Sequence, residues 1–408
     1  MQAALACPDR GAVEWSAPTV GAIARAHGAA LRASCALNWE QLAVLRDLER
    51  CRTAALGGHR YVCDTCGYTK PMYNSCRNRH CPTCQSIEQR RWLERRQETI
   101  LPVPYFHLVF TLPSELRPVV AFNRERMFGL LFEAASRTLL LLSRDERHLG
   151  ATPAVTMVLH TWTRELMFHP HVHAVVSAGG LGTDGQWVAS RKAYLFPVKV
   201  MAALFRRLFR EALLAAIEQG EVQVAAAHER GMRKALFETK WNVYAKAPFG
   251  GAAQVFGYLG RYTHRVGISN SRLLYADQHR VTFATKEGRS CTVTPVKFLR
   301  RLLLHVLPKR FHKIRHYGLC SSHHVAAGTI DLLREQLGGT LASAERARAE
   351  LRSVEPALAR ADATPESWVE CMLALTGLDV LRCPRCKEGR LMALPLELEQ
   401  SSAIEDSS

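Results

Sequence analysis

Apolar residues change their period several times along this chain, and each change marks an element. Between Asn38 and Leu48, the residues Leu42, Val44, Leu45 and Leu48 fall on one helical face. Residues 51–84 lose that rhythm, because Gly57-Gly58, Gly67, Pro71 and Pro82 cut the chain into short pieces. Residues 86–99 predict a basic helix with Arg90, Arg91, Arg95 and Arg96. Residues 105–111, bounded by Pro104 and Pro113, predict a strand, and residues 114–142 predict helices. Further strands are predicted over 155–161, 171–177 and 187–189, then an amphipathic helix over 198–217. A second helix is predicted over 252–264, after the breaker Pro248-Phe249-Gly250-Gly251. Strands over 272–275, 280–284 and 290–295 precede a helix over 296–305. Residues 325–380 read as mainly helical.

Strands and helices in residues 101–315 do not alternate strictly. That predicts an α+β fold with a largely antiparallel central sheet and speaks against a doubly wound parallel one. The expected organisation is a helical lead-in (1–45), a small cysteine-rich zinc-binding module (46–100), an α+β catalytic domain (101–318), a mainly helical C-terminal region with a cysteine knuckle (319–400) and a disordered tail (401–408).

Charge and cysteines sharpen this picture. Lys and Arg outnumber Asp and Glu by 54 to 37, a net charge of +17 that favours a polyanionic partner, of which nucleic acid is the usual one. No basic start followed by an apolar core opens the chain, and no apolar run is long enough to span a bilayer, so a cytoplasmic, reducing setting without membrane is expected. Of thirteen cysteines, five crowd between Cys63 and Cys84, in Cys63-Asp-Thr-Cys66, Cys76 and Cys81-Pro-Thr-Cys84. Two Cys-x-x-Cys knuckles at that spacing predict one structural zinc held by Cys63, Cys66, Cys81 and Cys84. Cys51, His59, Cys76 and His80 are candidates for a second, mixed site. Arg77 and Arg79 beside the knuckles are candidate DNA contacts. Cys383-Pro-Arg-Cys386 is half a zinc site, for which Cys320, His323 and Cys371 are the available completions.

Residues 169–173 read His-Pro-His-Val-His and run into Ala174-Val175-Val176. On a strand, His171 and His173 project to one face, and His169 would follow if Pro170 does not end the strand. Two imidazoles together on a covered face are costly unless they bind something. A divalent metal, Mn²⁺ or the harder Mg²⁺, meets that need. His160, Glu165 and His107 are candidates for the third ligand.

Tyr258-Leu-Gly-Arg-Tyr262 places two tyrosines at i and i+4, about 40° apart around a helix. Arg261, His264 and Arg265 make the same segment basic, and guanidinium groups there suit bidentate phosphate contacts.

Together these residues resemble a known family, the HUH-type two-tyrosine rolling-circle transposases of bacterial insertion sequences. The likeness rests on Tyr73 to Gln85, His169-Pro-His-Val-His173, Gly257-Tyr-Leu-Gly-Arg-Tyr-Thr-His-Arg-Val266 and Lys313-Ile-Arg-His-Tyr-Gly318, in that order, with the Cys383 knuckle following. The resemblance implies an N-terminal zinc module that recognises DNA, a catalytic sheet that displays His171 and His173, and Tyr258 and Tyr262 as nucleophiles. It implies cleavage and rejoining of single-stranded DNA through a 5′-phosphotyrosine intermediate. No Walker-type motif is present, so no nucleotide triphosphate is expected. One departure from the family pattern is Ala284-Thr285-Lys286, where similar proteins carry an aromatic residue before the lysine. The alternatives are a plasmid-type replication initiator with the same chemistry and a zinc-dependent DNA-binding regulator without catalysis.

Overall fold

The computed structural model describes residues 18–85, 100–190, 195–249, 267–338 and 379–395. In chain order the elements are α1 (Val20–Ser34), α2 (Trp39–Arg50), β1 (Gly58–Cys63), β2 (Thr69–Tyr73), β3 (Tyr105–Thr111), α3 (Arg117–Phe122), α4 (Arg124–Arg144), β4 (Thr152–Trp162), β5 (Phe168–Leu181) and β6 (Trp187–Ala189). After these come α5 (Val198–Glu218), α6 (Ala226–Phe237), β7 (Val243–Phe249), β8 (Leu273–Ala276), β9 (Val281–Ala284), β10 (Ser290–Val293), α7 (Pro295–Leu303), β11 (Ile314–Gly318), α8 (Ser322–Ala326), α9 (Thr329–Gln336) and β12 (Leu391–Pro395).

The fold is α+β, and every described strand pairing is antiparallel. A six-stranded sheet runs β11-β4-β5-β3-β7, with β6 added to β5. Strict alternation divides its two faces. Phe106, Leu108 and Phe110 of β3, Val155, Met157 and Leu159 of β4, and Val172, Ala174 and Val176 of β5 enter the main core beneath α4, α5 and α6. Phe110, Phe205, Phe209 and Trp241 meet there, edge to face except for the tilted Phe209–Trp241 pair, with Phe110 and Phe205 rings 5.1 Å apart. Fully burying such side chains stabilises the fold by about 1.5–3 kcal/mol each. The other face carries His107, His160, His171 and His173. At its far end Tyr105, Val158 and Val175 are covered by Ile330 and Leu333 of α9.

A second core joins α1 and α2 to β8, β9 and α7 through Leu31, Leu45, Val281, Phe283 and Phe298. Asn38 and Gln41 form a reciprocal capping box that starts α2, while Thr294 and the following proline start α7. Three smaller strands make the sheet β12-β1-β2.

Strands were expected where β3, β4, β5, β6, β8, β9 and β10 stand, and the structure extends β4 and β5 at both ends. The short strands β1, β2, β7, β11 and β12 were not expected, because none shows a long alternating run. The helices predicted over 86–99 and 252–264, and most of the one over 325–380, lie outside the described residues. Among the described residues no helix is long and apolar enough to cross a membrane.

Candidate active site and metal centres

The β4–β5 hairpin builds the site. Its register sets His160 directly opposite His171, and His173 opposite Val158 on β4 and Val109 on β3. The three imidazoles therefore share one face. Each offers a ring nitrogen, and these nitrogens all lie within 4.8 Å of one another. His160 is 2 % exposed and His173 9 %.

Hydrogen bonds orient the rings. His171 donates from Nδ1 to the His169 carbonyl at 2.6 Å, which leaves Nε2 to carry the lone pair. His173 meets His107 through Nδ1 and Nε2 at 2.9 Å, with the two rings only 8° from parallel. His160 stacks on Trp162 at 4.5 Å. Burial pushes His171 down to about 4 and His173 well below the usual histidine value, so both are neutral near pH 7. Three neutral, converging imidazoles fit a divalent metal ion.

His160 is thus brought to the expected pair. Glu165 is not: it is exposed in the hairpin turn, and its backbone carbonyl accepts from Arg301. His107 is not one of the converging three; its Nε2 meets His173 Nδ1. His169 lies within β5 despite Pro170, but its Nδ1 engages Arg117 at 3.1 Å.

A residue that sequence reasoning passed over anchors the hairpin. The Arg272 guanidinium donates to the carbonyls of Arg164 in the turn, Gly267, and Ala284 on β9. His305 adds contacts to the Leu166 carbonyl and Thr161 hydroxyl. Gly267 has φ +65, in the left-handed region, and a Cβ there would come within 2.9 Å of Leu166. So the chain leaving residues 250–266 re-enters against the His hairpin. Tyr258, Tyr262, Arg261, His264 and Arg265 lie in that stretch, outside the described residues. Lys286 is exposed and paired with Glu287 at 3.5 Å.

The cysteines are grouped otherwise than expected. Cys81 and Cys84 join Cys51 and Cys76, with sulfurs 3.6–3.7 Å apart. Cys63 and Cys66 stand elsewhere, against Cys383 and Cys386. The single site of Cys63, Cys66, Cys81 and Cys84 is therefore corrected, since local spacing does not encode which knuckles meet. Four thiols at tetrahedral separation fit structural zinc, whose 2.3 Å bonds set sulfurs about 3.8 Å apart.

The two histidines proposed for a mixed site group with neither cysteine cluster. His59 is exposed on β1 and belongs to neither cysteine cluster. His80 is buried, and its Nε2 accepts from the Leu307 amide at 3.1 Å. The candidate DNA contact Arg79 donates to the carbonyls of Phe311 and Pro308 at 2.7 Å each, clamping the cysteine module to the chain before β11. Arg77 is exposed. Cys320 and His323 do not complete the Cys383 knuckle, and Cys371 lies outside the described residues.

Comparison with known proteins bears on this arrangement. Residues 23–112 match the family described as "Transposase zinc-binding domain", and residues 154–327 match the one described as "Putative transposase". The chain is 40% identical over 397 residues to "Putative transposase y4qJ" of Sinorhizobium fredii, covering 93% of this chain and 96% of that one. It is 29% identical over 301 residues to "Transposase for insertion sequence element IS801" of Pseudomonas savastanoi pv. phaseolicola, covering 68% of this chain and 72% of that one. No solved structure matches.

Proposed function

The chain belongs to the family of insertion-sequence transposases that carry an N-terminal zinc-binding domain, and from that membership we propose that it cleaves and rejoins single-stranded DNA by tyrosine attack, as in rolling-circle transposition. The observation that carries this reading is the buried cluster of His160, His171 and His173 at the neck of the β4–β5 hairpin. A protein that only bound DNA would have no use for three neutral imidazoles aimed at one point.

These histidines would hold Mn²⁺ or Mg²⁺, which when bound supplies charge neutralisation and polarisation of the scissile phosphate. His107 fixes the ring of His173, and the His169 carbonyl fixes that of His171, so the lone pairs are set before any ligand arrives. Tyr258 or Tyr262 attacks phosphorus through its phenol oxygen. The bond to the 3′ oxygen of the upstream nucleotide breaks, the phenol proton departs, and that 3′ oxygen takes one up. A 5′-phosphotyrosine and a free 3′-hydroxyl result, so the phosphodiester bond energy is conserved and no nucleotide triphosphate is consumed. The other tyrosine takes the next strand, with Arg261 and Arg265 holding phosphate oxygens. Arg272 positions the two halves of the site, since it grips both the hairpin turn and Gly267 at the end of the tyrosine-bearing stretch. The strongly basic chain, with Arg77 exposed beside the zinc module, draws the DNA in.

The test is incubation of the full chain with Mn²⁺ and single-stranded oligonucleotides from both ends of the encoding element. Metal-dependent cleavage at one position, absent in His171→Ala and His173→Ala, is expected. Tight binding without cleavage of any end sequence would favour a regulator.

A further inference from the structure

Cys383 and Cys386 lie beyond both matched segments, which end at residues 112 and 327. The structure nevertheless carries them to Cys63 and Cys66. Cys63 Sγ is 3.7 Å from Cys386 Sγ, 323 positions away in the chain, and Cys66 Sγ is 3.7 Å from Cys383 Sγ. A disulfide needs about 2.05 Å, so these are four separate thiols. Their spacing is what a 2.3 Å tetrahedral zinc–sulfur shell requires, about 3.8 Å.

The backbone is shaped around the sulfurs. Each knuckle turns through a left-handed residue just beyond its cysteines, Gly67 at φ +66 and Lys387 at φ +61. Lysine in that region costs about 1 kcal/mol, so something must hold it there. The Gly389 amide donates to Cys386 Sγ at 3.3 Å. A Cβ at Gly389 would lie 2.5 Å from Cys63 Sγ, so this glycine is what lets the two knuckles close. The Asp64 amide donates to the Arg390 carbonyl, and the Arg390 amide returns a bond to the Asp64 carboxylate. β12 then pairs with β1 from Cys63–Leu391 to His59–Pro395.

Apolar packing does not account for this lobe. Among the described residues its core holds only Cys63, Cys383 and Leu391 as buried members, with Tyr61, Tyr68 and Cys386 half-buried against them, while Met392 and Leu394 are 55% and 41% exposed. A three-stranded sheet with so small a core is marginal in water and needs a staple.

We propose that Cys63, Cys66, Cys383 and Cys386 bind a second zinc ion, separate from the one at Cys51, Cys76, Cys81 and Cys84, and that it clasps the C-terminal ribbon onto the N-terminal module. The zinc module of this chain is then built from both ends of the sequence, and β1 lacks its β12 partner until the C-terminal knuckle is made.

The test is the zinc content of the purified full chain by atomic emission. Two zinc ions per chain are expected, falling to one in Cys383→Ser/Cys386→Ser and to one in Cys81→Ser/Cys84→Ser. One zinc in the parent, or two retained in Cys383→Ser/Cys386→Ser, overturns the proposal. Alkylation of the unmutated chain covers the case in which a variant fails to fold. Under native conditions Cys63, Cys66, Cys383 and Cys386 should react with iodoacetamide at least tenfold faster after zinc removal by chelator. Reaction of Cys383 and Cys386 at the free-thiol rate before chelation overturns it equally. Neither readout involves strand cleavage, so failure here leaves the nuclease reading standing, and the reverse also holds.

Discussion

His107→Phe should weaken Mn²⁺ binding at the histidine cluster by about 10–100-fold, or about 1.4–2.7 kcal/mol. His107 is 4 % exposed and meets His173 Nδ1 at 2.9 Å. Phenylalanine keeps a planar ring on that face of β3 but removes the nitrogen that fixes the His173 tautomer. A metal-binding histidine held by such a partner is both better oriented and more basic, which is where the loss arises. His107→Gln, which keeps a polar side chain of similar reach, should recover most of the affinity. The assay is isothermal titration of the zinc-loaded full chain with Mn²⁺, with zinc content and thermal unfolding followed in parallel. Binding within twofold of the parent in a folded His107→Phe chain would refute the argument that His107 positions His173.

Three further predictions follow from the same geometry. Arg272→Ala removes the grip on the hairpin turn and Gly267 and should lower the cleavage rate 10–100-fold while changing Mn²⁺ affinity less than threefold, because misplacement of reacting groups by about 1 Å costs about a hundredfold; equal loss in both would contradict it. His80→Ala should leave zinc content unchanged and destabilise the chain by about 1–3 kcal/mol in urea, because the Leu307 amide loses its acceptor in a buried position. Burial holds His305 at about 3 and His171 at about 4, below the unfolded value of about 6.5. The folded chain therefore binds fewer protons than the unfolded one, so stability without added divalent metal is full above pH 6.5 and falls as pH drops toward 4, by up to about 1.4 kcal/mol per pH unit for each histidine; a flat profile in urea unfolding from pH 7.5 to 5 would contradict these burials.

Much of the central sheet was legible because its strands announce themselves by alternation. His171 and His173 were placed on one face by period alone, and His160 joined them once the hairpin register was set. His107 is a ligand candidate by proximity alone, while the alternation of Phe106, Leu108 and Phe110 turns it to the histidine face, where it meets His173 and not the converging three. Other features were not legible, because they depend on contacts between distant parts of the chain. His80 and Arg79 look like a ligand and a DNA contact when read beside Cys81, yet their partners are Leu307, Pro308 and Phe311. The two knuckles at Cys63 and Cys81 suggest one zinc by spacing, yet the pairing of β1 with β12 carries the Cys63 knuckle to Cys383 and Cys386, while the Cys81 knuckle meets Cys51 and Cys76.

The most direct test of the central claim labels one end-derived oligonucleotide at its 3′ end and another copy at its 5′ end. Each is incubated with the full chain and Mn²⁺, denatured and digested with trypsin. Arg261 lies between the tyrosines, so digestion separates the peptide of Tyr258 from that of Tyr262. Only the 3′ label is expected to travel with protein, on a peptide containing Tyr258 or Tyr262, and the adduct is expected to be lost in the double phenylalanine variant. Cleavage with no nucleotide on either peptide, or an adduct carrying the 5′ label, would contradict it.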